Sequence, residues 1–362
     1  MKRKHSLVVV GLMGVALSLS ACGNDDDSSD KGGGDGGAAD GKIGVILPDT
    51  ESSVRWESAD RPALESAFKE AGVEYDIQNA EGDAERMTQI ADTMIGNGVT
   101  VLAIVNLDSE SGAAIQEKAK EQGVATIDYD RLTLGGSAEY YVSFDNTKVG
   151  ELQGQGLADC LGEKDANIVY LNGAPTDNNA TLFAEGAHSV LDSMTSYKVV
   201  GEQAVPEWDN EEAATIFQQL YTAADGKVDG VLAANDGLGG AAIGILEGAG
   251  QAGKVPVTGQ DATVEGLQNV LAGTQCMTVY KSATQEANAL AETAIALVNG
   301  DDAKTTGTTV DSSDQSEVPS ILLDPQSITK DNVGDVITDG GQKAEDVCSG
   351  EFAAMCTEAG IS

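Results

Sequence analysis

From Lys42 onward, short apolar runs alternate with stretches in which apolar residues recur every three or four positions. Ile43-Gly44-Val45-Ile46-Leu47, closed by Pro48, reads as a buried strand, and residues 57–71 read as a helix ending at Gly72. A strand over 73–77, a helix over 83–96, a strand over 99–105, a helix over 109–122 and a strand over 124–127 follow. These strands are apolar throughout instead of alternating, so both faces must be covered, as in a parallel sheet between helical layers. The rhythm restarts after residue 145, with strands over 168–171, 197–204, 228–234, 255–259 and 276–280. Between and after them lie helical patterns at 178–193, 210–223, 237–251 and 283–299. Two domain-sized series of β-α units predict an α/β protein of two doubly wound parallel-sheet lobes.

In such sheets a ligand site forms at the carboxyl ends of the strands. The loops there are polar: Tyr129-Asp130-Arg131, Pro175-Thr176-Asp177-Asn178-Asn179, Asn235-Asp236, Gln260-Asp261, and Lys281 directly after Met277-Thr278-Val279-Tyr280. Asp177, Asn235 and Asp261 are each good helix N-cap types, and capping explains any one of them alone. Arg131 and Lys281 accept no hydrogen bond and cannot cap, so the full set points to one shared cleft. Carboxylates accept protons from hydroxyls, Arg and Lys donate, and the Asn179 and Asn235 amides do both, which suits a hydroxyl-rich ligand. The chain's two tryptophans, Trp56 and Trp208, fall beside strand–helix loops in different lobes. They could sandwich the C–H faces of a sugar ring, with interior packing as the alternative. Neither GxxxxGK[ST] nor GxSxG occurs. Fixed cations among the acids serve a glycosidase's raised-pKa general acid poorly, which argues against that reading.

Charge and cysteines set the surroundings. The formal charge of −38, from 59 acidic and 21 basic residues, disfavours nucleic acid and anionic headgroups as partners. Lys2-Arg3-Lys4 precedes an apolar run from Leu7 to Leu19, too short for a membrane span and right for a secretion signal. Leu19-Ser20-Ala21-Cys22 looks like a bacterial lipobox, predicting a signal peptide over 1–21, a diacylated Cys22 and a flexible acidic, Gly-rich tether over 22–41. Of the remaining cysteines, Cys348 and Cys356 are the favoured disulfide, while Cys160 with Cys276 stays open. No Cys/His spacing suits zinc, and no cofactor is expected. His188, inside a predicted helix, is read as a packing residue.

Taken in order, these stretches resemble the type I periplasmic-binding-protein family of sugar receptors, in particular its bacterial D-xylose-binding members. The resemblance is carried by Arg55-Trp56 with Asp60-Arg61, Tyr129-Asp130-Arg131, Ser143-Phe144-Asp145-Asn146, Lys148-Val149-Gly150-Glu151-Leu152-Gln153, Asp177-Asn178-Asn179, Asn235-Asp236, Thr258-Gly259-Gln260-Asp261 and Met277-Thr278-Val279-Tyr280-Lys281. It implies two lobes joined by a three-stranded hinge: 42–146 plus about 284–320, then about 147–283 plus about 321–345, with 346–362 as an extension. It also implies that Arg55, Asp130, Arg131, Asp177, Asn179, Asn235, Asp261 and Lys281 hydrogen-bond a sugar, with Trp56 and Trp208 stacked on it. The implied role is that of a monomeric extracytoplasmic lipoprotein, not an enzyme, which passes a monosaccharide, most of all D-xylose, to an ABC permease. A sugar-sensing module, or a binder of another aldose such as glucose or ribose, is the alternative. The loop Asp49–Val54 and the stretch Val205-Pro206-Glu207 depart from the family pattern.

Overall fold

The computed structural model describes residues 41–361; the expected signal peptide, Cys22 and nearly all of the tether lie outside the described residues. In chain order come β1 (Lys42–Leu47), α1 (Arg61–Ala71), β2 (Glu74–Asn79), α2 (Ala84–Gly96), β3 (Val101–Ile104), α3 (Ser109–Glu121), β4 (Ala125–Tyr129) and β5 (Tyr140–Phe144). Then follow α4 (Asn146–Leu161), β6 (Ala166–Asn172), α5 (Asn178–Leu191), β7 (Tyr197–Ala204), α6 (Asn210–Ala223), β8 (Gly230–Ala233), α7 (Asp236–Gly248), α8 (Val264–Ala272) and β9 (Thr278–Tyr280). The chain closes with α9 (Ala283–Val298), β10 (Gly307–Val310), β11 (Glu317–Leu323), β12 (Gln326–Ile328), α10 (Val333–Thr338), α11 (Ala344–Val347) and α12 (Phe352–Glu358).

The first sheet has the order β10-β11-β5-β4-β3-β1-β2 and is parallel except for β10. The second has β7-β6-β8 parallel and β12-β9 antiparallel, linked through isolated bridges at Val231–Val257 and Gln260–Val279. Each sheet is therefore parallel at its centre, as the sequence predicts, and carries one antiparallel edge strand. The strand expected over 255–259 shrinks to a single bridge. Val231 exchanges bonds with Pro256 and Thr258, and the chain then turns away through left-handed backbone at Asp261 and Ala262.

Three connections pass between the sheets: β5 to α4, β9 to α9, and β11 to β12. Asp145 N–H donates to the Leu323 carbonyl at 2.9 Å, joining the first and third. Ile321, Leu322 and Leu323 pair with Val142, Ser143 and Phe144, so they belong to the first sheet and the return follows them.

Helix α4 and strand β5 had no element assigned from the sequence. Helix α4 is glycine-interrupted, and the reason is a close helix crossing: a Cβ on Gly150 would overlap the Phe183 carbonyl of α5. Eight helices, α2 to α9, begin with a side-chain cap, five of them from Asp. Each cap contributes about 1 kcal/mol, so part of the acidic excess is structural. The last segment is no loose appendage. Val347 and Cys356 are buried with Leu267, Val270, Leu271 and Ile328 of the second lobe. Cys348–Cys356 is bonded with a Cα separation of 5.7 Å, and Cys160–Cys276, left open above, is bonded as well at 6.5 Å.

Candidate functional site

All ten residues predicted for the site line one small cavity of about 30 Å³, together with Ser52, Ser53, Phe183 and Gln260. The strand ends bring them there. Arg55 and Trp56 follow β1, Asp130 and Arg131 follow β4, Asp177 and Asn179 follow β6, Asn235 follows β8, and Lys281 follows β9.

Arg55 is fixed by carboxylates on three sides. Its Nε and Nη2 donate to Asp60 at 2.9 and 2.7 Å, Nη2 also to Glu286 at 2.5 Å, and Nη1 to Asp130 at 3.1 Å. Burial disfavours the guanidinium charge, but these carboxylates more than offset that and raise its pKa well above the ordinary value. The Tyr129 hydroxyl donates to Asp60 from below.

Asp130 sits at left-handed φ of 61°, which costs energy for a non-glycine residue. Its carbonyl, exposed by that turn, accepts from Ser143 Oγ at 2.7 Å, Tyr141 Oη at 3.0 Å and Asn179 Nδ2 at 3.0 Å. Its carboxylate accepts from Asn179 Nδ2 at 3.0 Å and lies 3.7 Å from Lys281 Nζ. Burial alone would raise the Asp130 pKa, yet Lys281, Arg55 and Arg131 outweigh it and hold the carboxyl below the usual range. Asp130 is thus an ionised acceptor.

From the second lobe, Asp177 caps α5 through Oδ1 (2.9 Å to Asn179 N). Its Oδ2 accepts from Trp208 Nε1 at 3.2 Å and lies 3.0 Å from Arg131 Nε. The Arg131 contact is close but poorly aligned, so Nε–H has no good acceptor. Asn235 caps α7 through Oδ1, 2.9 Å from Leu238 N. The capping reading was therefore right for Asp177 and Asn235, and both still face the cavity. Asp261 caps nothing; Thr263 caps α8 instead. The Asp261 carboxyl accepts no hydrogen bond among the described residues. Burial raises its pKa, only partly offset by Lys281 and Arg55.

The two indoles come from opposite lobes and are buried. Trp56 donates to Ser52 Oγ at 3.2 Å, and the Arg55 guanidinium lies 4.5 Å from its ring centroid. Trp208, at φ 59°, follows Glu207 at φ 54° and lies over Gly173, where any Cβ would overlap the ring. This strained turn is the stretch whose sequence departs from the family pattern. Phe183, edge-on to Trp208 at 6.4 Å, completes the apolar wall and carried no distinguishing sequence signal. Ser53 Oγ and Gln260 Oε1 are buried with no partner among the described residues, which leaves the cavity with unmet hydrogen-bonding capacity.

His188 lies outside this site, stacked on Tyr170 at 4.4 Å and bonded to Asp192 and Glu202. Among the described residues, no cluster of His, Cys, Asp and Glu could hold a metal, and no helix is long and apolar enough to cross a membrane.

Residues 43–302 match the family described as periplasmic binding protein domain. The chain belongs to the periplasmic binding protein family. A D-xylose-binding periplasmic protein of Escherichia coli (strain K12) is 38% identical over 310 residues, which cover 84% of this chain and 92% of that protein. The multiple sugar-binding periplasmic receptor ChvE of Rhizobium radiobacter is 34% identical over 364 residues, 94% of this chain and 98% of its own. Among solved structures, a carbohydrate transporter solute binding protein from Chloroflexus aurantiacus, in complex with D-glucose, superposes with a TM-score of 0.78 at 27% identity. That match covers 85% of this chain and 98% of that one. Membership makes this an extracytoplasmic binding protein of the type I fold and not an enzyme.

Proposed function

We propose that this binding protein holds one monosaccharide, D-xylose foremost, between its lobes and delivers it to an ABC permease. One observation carries the reading: two tryptophans from different lobes flank a buried cavity whose acceptors and donors are not all satisfied by protein. A pyranose supplies both complements, C–H faces for the rings and hydroxyls for the polar groups. Arg55, Arg131 and Lys281 donate; Asp130, Asp177 and Asp261 accept; Asn179 and Asn235 do either. Closure of the lobes excludes water and strengthens each of these contacts.

D-xylose is named because the 38% and 36% identical relatives are D-xylose-binding periplasmic proteins. A broader aldose range is the second reading, favoured by the similarity to the multiple sugar-binding receptor and to a glucose-bound structure. Isothermal titration with xylose, glucose, ribose, arabinose and galactose tests both. Tightest binding of xylose supports the first reading, comparable glucose binding the second, and silence from every aldose rejects the function. The protein acts as a monomer, tethered to the outer face of the membrane through acylated Cys22. Mass spectrometry of the mature N-terminal peptide tests the acylation.

A further inference from the structure

Behind the cavity, on the first turn of α9, Glu286 has no exposed surface. One oxygen meets Arg55; the other, Oε1, is buried with no hydrogen-bond partner among the described residues. The groups around it are Arg55 and Asp60 from the turn after β1, Tyr129 and Asp130 from the end of β4, Tyr141 from β5, and Lys281 from across the cleft. Asp261 lies beyond these, near Lys281 and Arg55. Arg131 lies 3.0 Å from Asp177, and that pair adds no net charge to the cluster. That leaves the cations Arg55 and Lys281 facing four carboxyl groups: Asp60, Asp130, Asp261 and Glu286. An excess of two negative charges is costly where three of the four carboxyls, those of Asp60, Asp130 and Glu286, are buried, and a proton on one carboxyl relieves it.

We propose that Glu286 is a positioning residue that carries this proton while sugar is bound, so that Asp130 remains an ionised acceptor and Arg55 stays aimed between Asp60 and the cavity. This deepens, and rests on, the monosaccharide reading. Glu286 is the right carrier for two reasons. Its free oxygen has no donor that would favour the anion, whereas Asp130 accepts from Arg55 and Asn179 and Asp60 from Arg55 and Tyr129. It also is not among the residues that line the cavity, so neutralising it removes no acceptor from the sugar. Burial, aided by Asp130 and Asp60 and opposed by Arg55 and Lys281, pushes its pKa up to about 8. The sugar-bound protein holds this proton more tightly than the free protein does, so affinity is level below the free-protein value, falls as pH rises above it, and levels off again above the value with sugar bound.

The test is the Kd for D-xylose between pH 6 and 9.5, for the full chain and for E286Q, which stays neutral at every pH. For one linked proton, the unmodified protein is expected to lose up to about tenfold in affinity per pH unit above pH 8, and E286Q to show no such slope. A level profile for the unmodified protein, or an equal slope in E286Q, overturns the proposal. Carbon-13 NMR of the glutamate carboxyls in the unmodified protein gives a reading that needs neither variant nor sugar. One carboxyl titrating well above the ordinary value of about 4.3 is expected, and its absence overturns the assignment. If no aldose binds at any pH, the functional reading fails while the NMR titration still decides where the proton sits.

Discussion

The two halves of the cavity are held in place by different physics. On the first lobe, Arg55 and Asp130 are fixed by buried charge: a guanidinium shared among Asp60, Asp130 and Glu286. On the second, Asp177 and Asn235 are fixed by the backbone, each spending one oxygen on the N-terminus of α5 or α7. The first arrangement holds only while every partner is present, because a buried charge left alone is expensive. The second is local and survives the loss of distant residues. Stability and affinity should therefore be coupled tightly in one half and loosely in the other.

Arg55→Met is the strongest test. It leaves Asp60, Asp130 and Glu286 buried without their cation, and we expect about 3–5 kcal/mol of lost stability with sugar binding abolished. Urea unfolding and calorimetry read the two effects; a stability loss below about 1 kcal/mol would break the contrast. Asp261→Asn should separate the two quantities. Its carboxyl accepts no hydrogen bond among the described residues, so a lost charge-assisted bond to sugar of about 1.5–3 kcal/mol, roughly tenfold to a hundredfold in Kd, should come with no fall in melting temperature. Asn235→Ala sharpens the second-lobe side, with a cap loss of about 1 kcal/mol in unfolding and a weaker Kd from the missing amide. Lys69→Met, removing an exposed pair with Glu65, should change neither measurement detectably.

How far the sequence could be read follows from the same contrast. The ten residues that meet in the cavity all sit beside strand ends, and β-α periodicity places strand ends together at one rim of each sheet. Asp177 and Asn235 looked ambiguous between cap and ligand contact because a side chain with two polar atoms does both. Ser53 and Phe183 offered no such cue, and Gln260, although in a polar strand-end loop, was not distinguished from its neighbour Asp261. Glu286 was hidden for a plainer reason: an acidic residue in a first helical turn is ordinary in sequence, and only its burial beside Arg55 gives it meaning. Helix α4 escaped notice because Gly150, Gly154 and Gly156 interrupt its pattern, and the need for them lies on the facing surface of α5 and at Met277.

The sequence alone determined the alternation of strands and helices, the polar strand ends and the two indoles, because these are local periodicities and residue chemistries. The tertiary structure decided the antiparallel edges, the bonding of Cys160 to Cys276, the docking of the last helices on the second lobe, and the imbalance of two cations against four carboxyl groups. Each of those depends on which distant segments share a low-dielectric space. Burial and proximity between residues far apart in the chain leave no periodic trace along it.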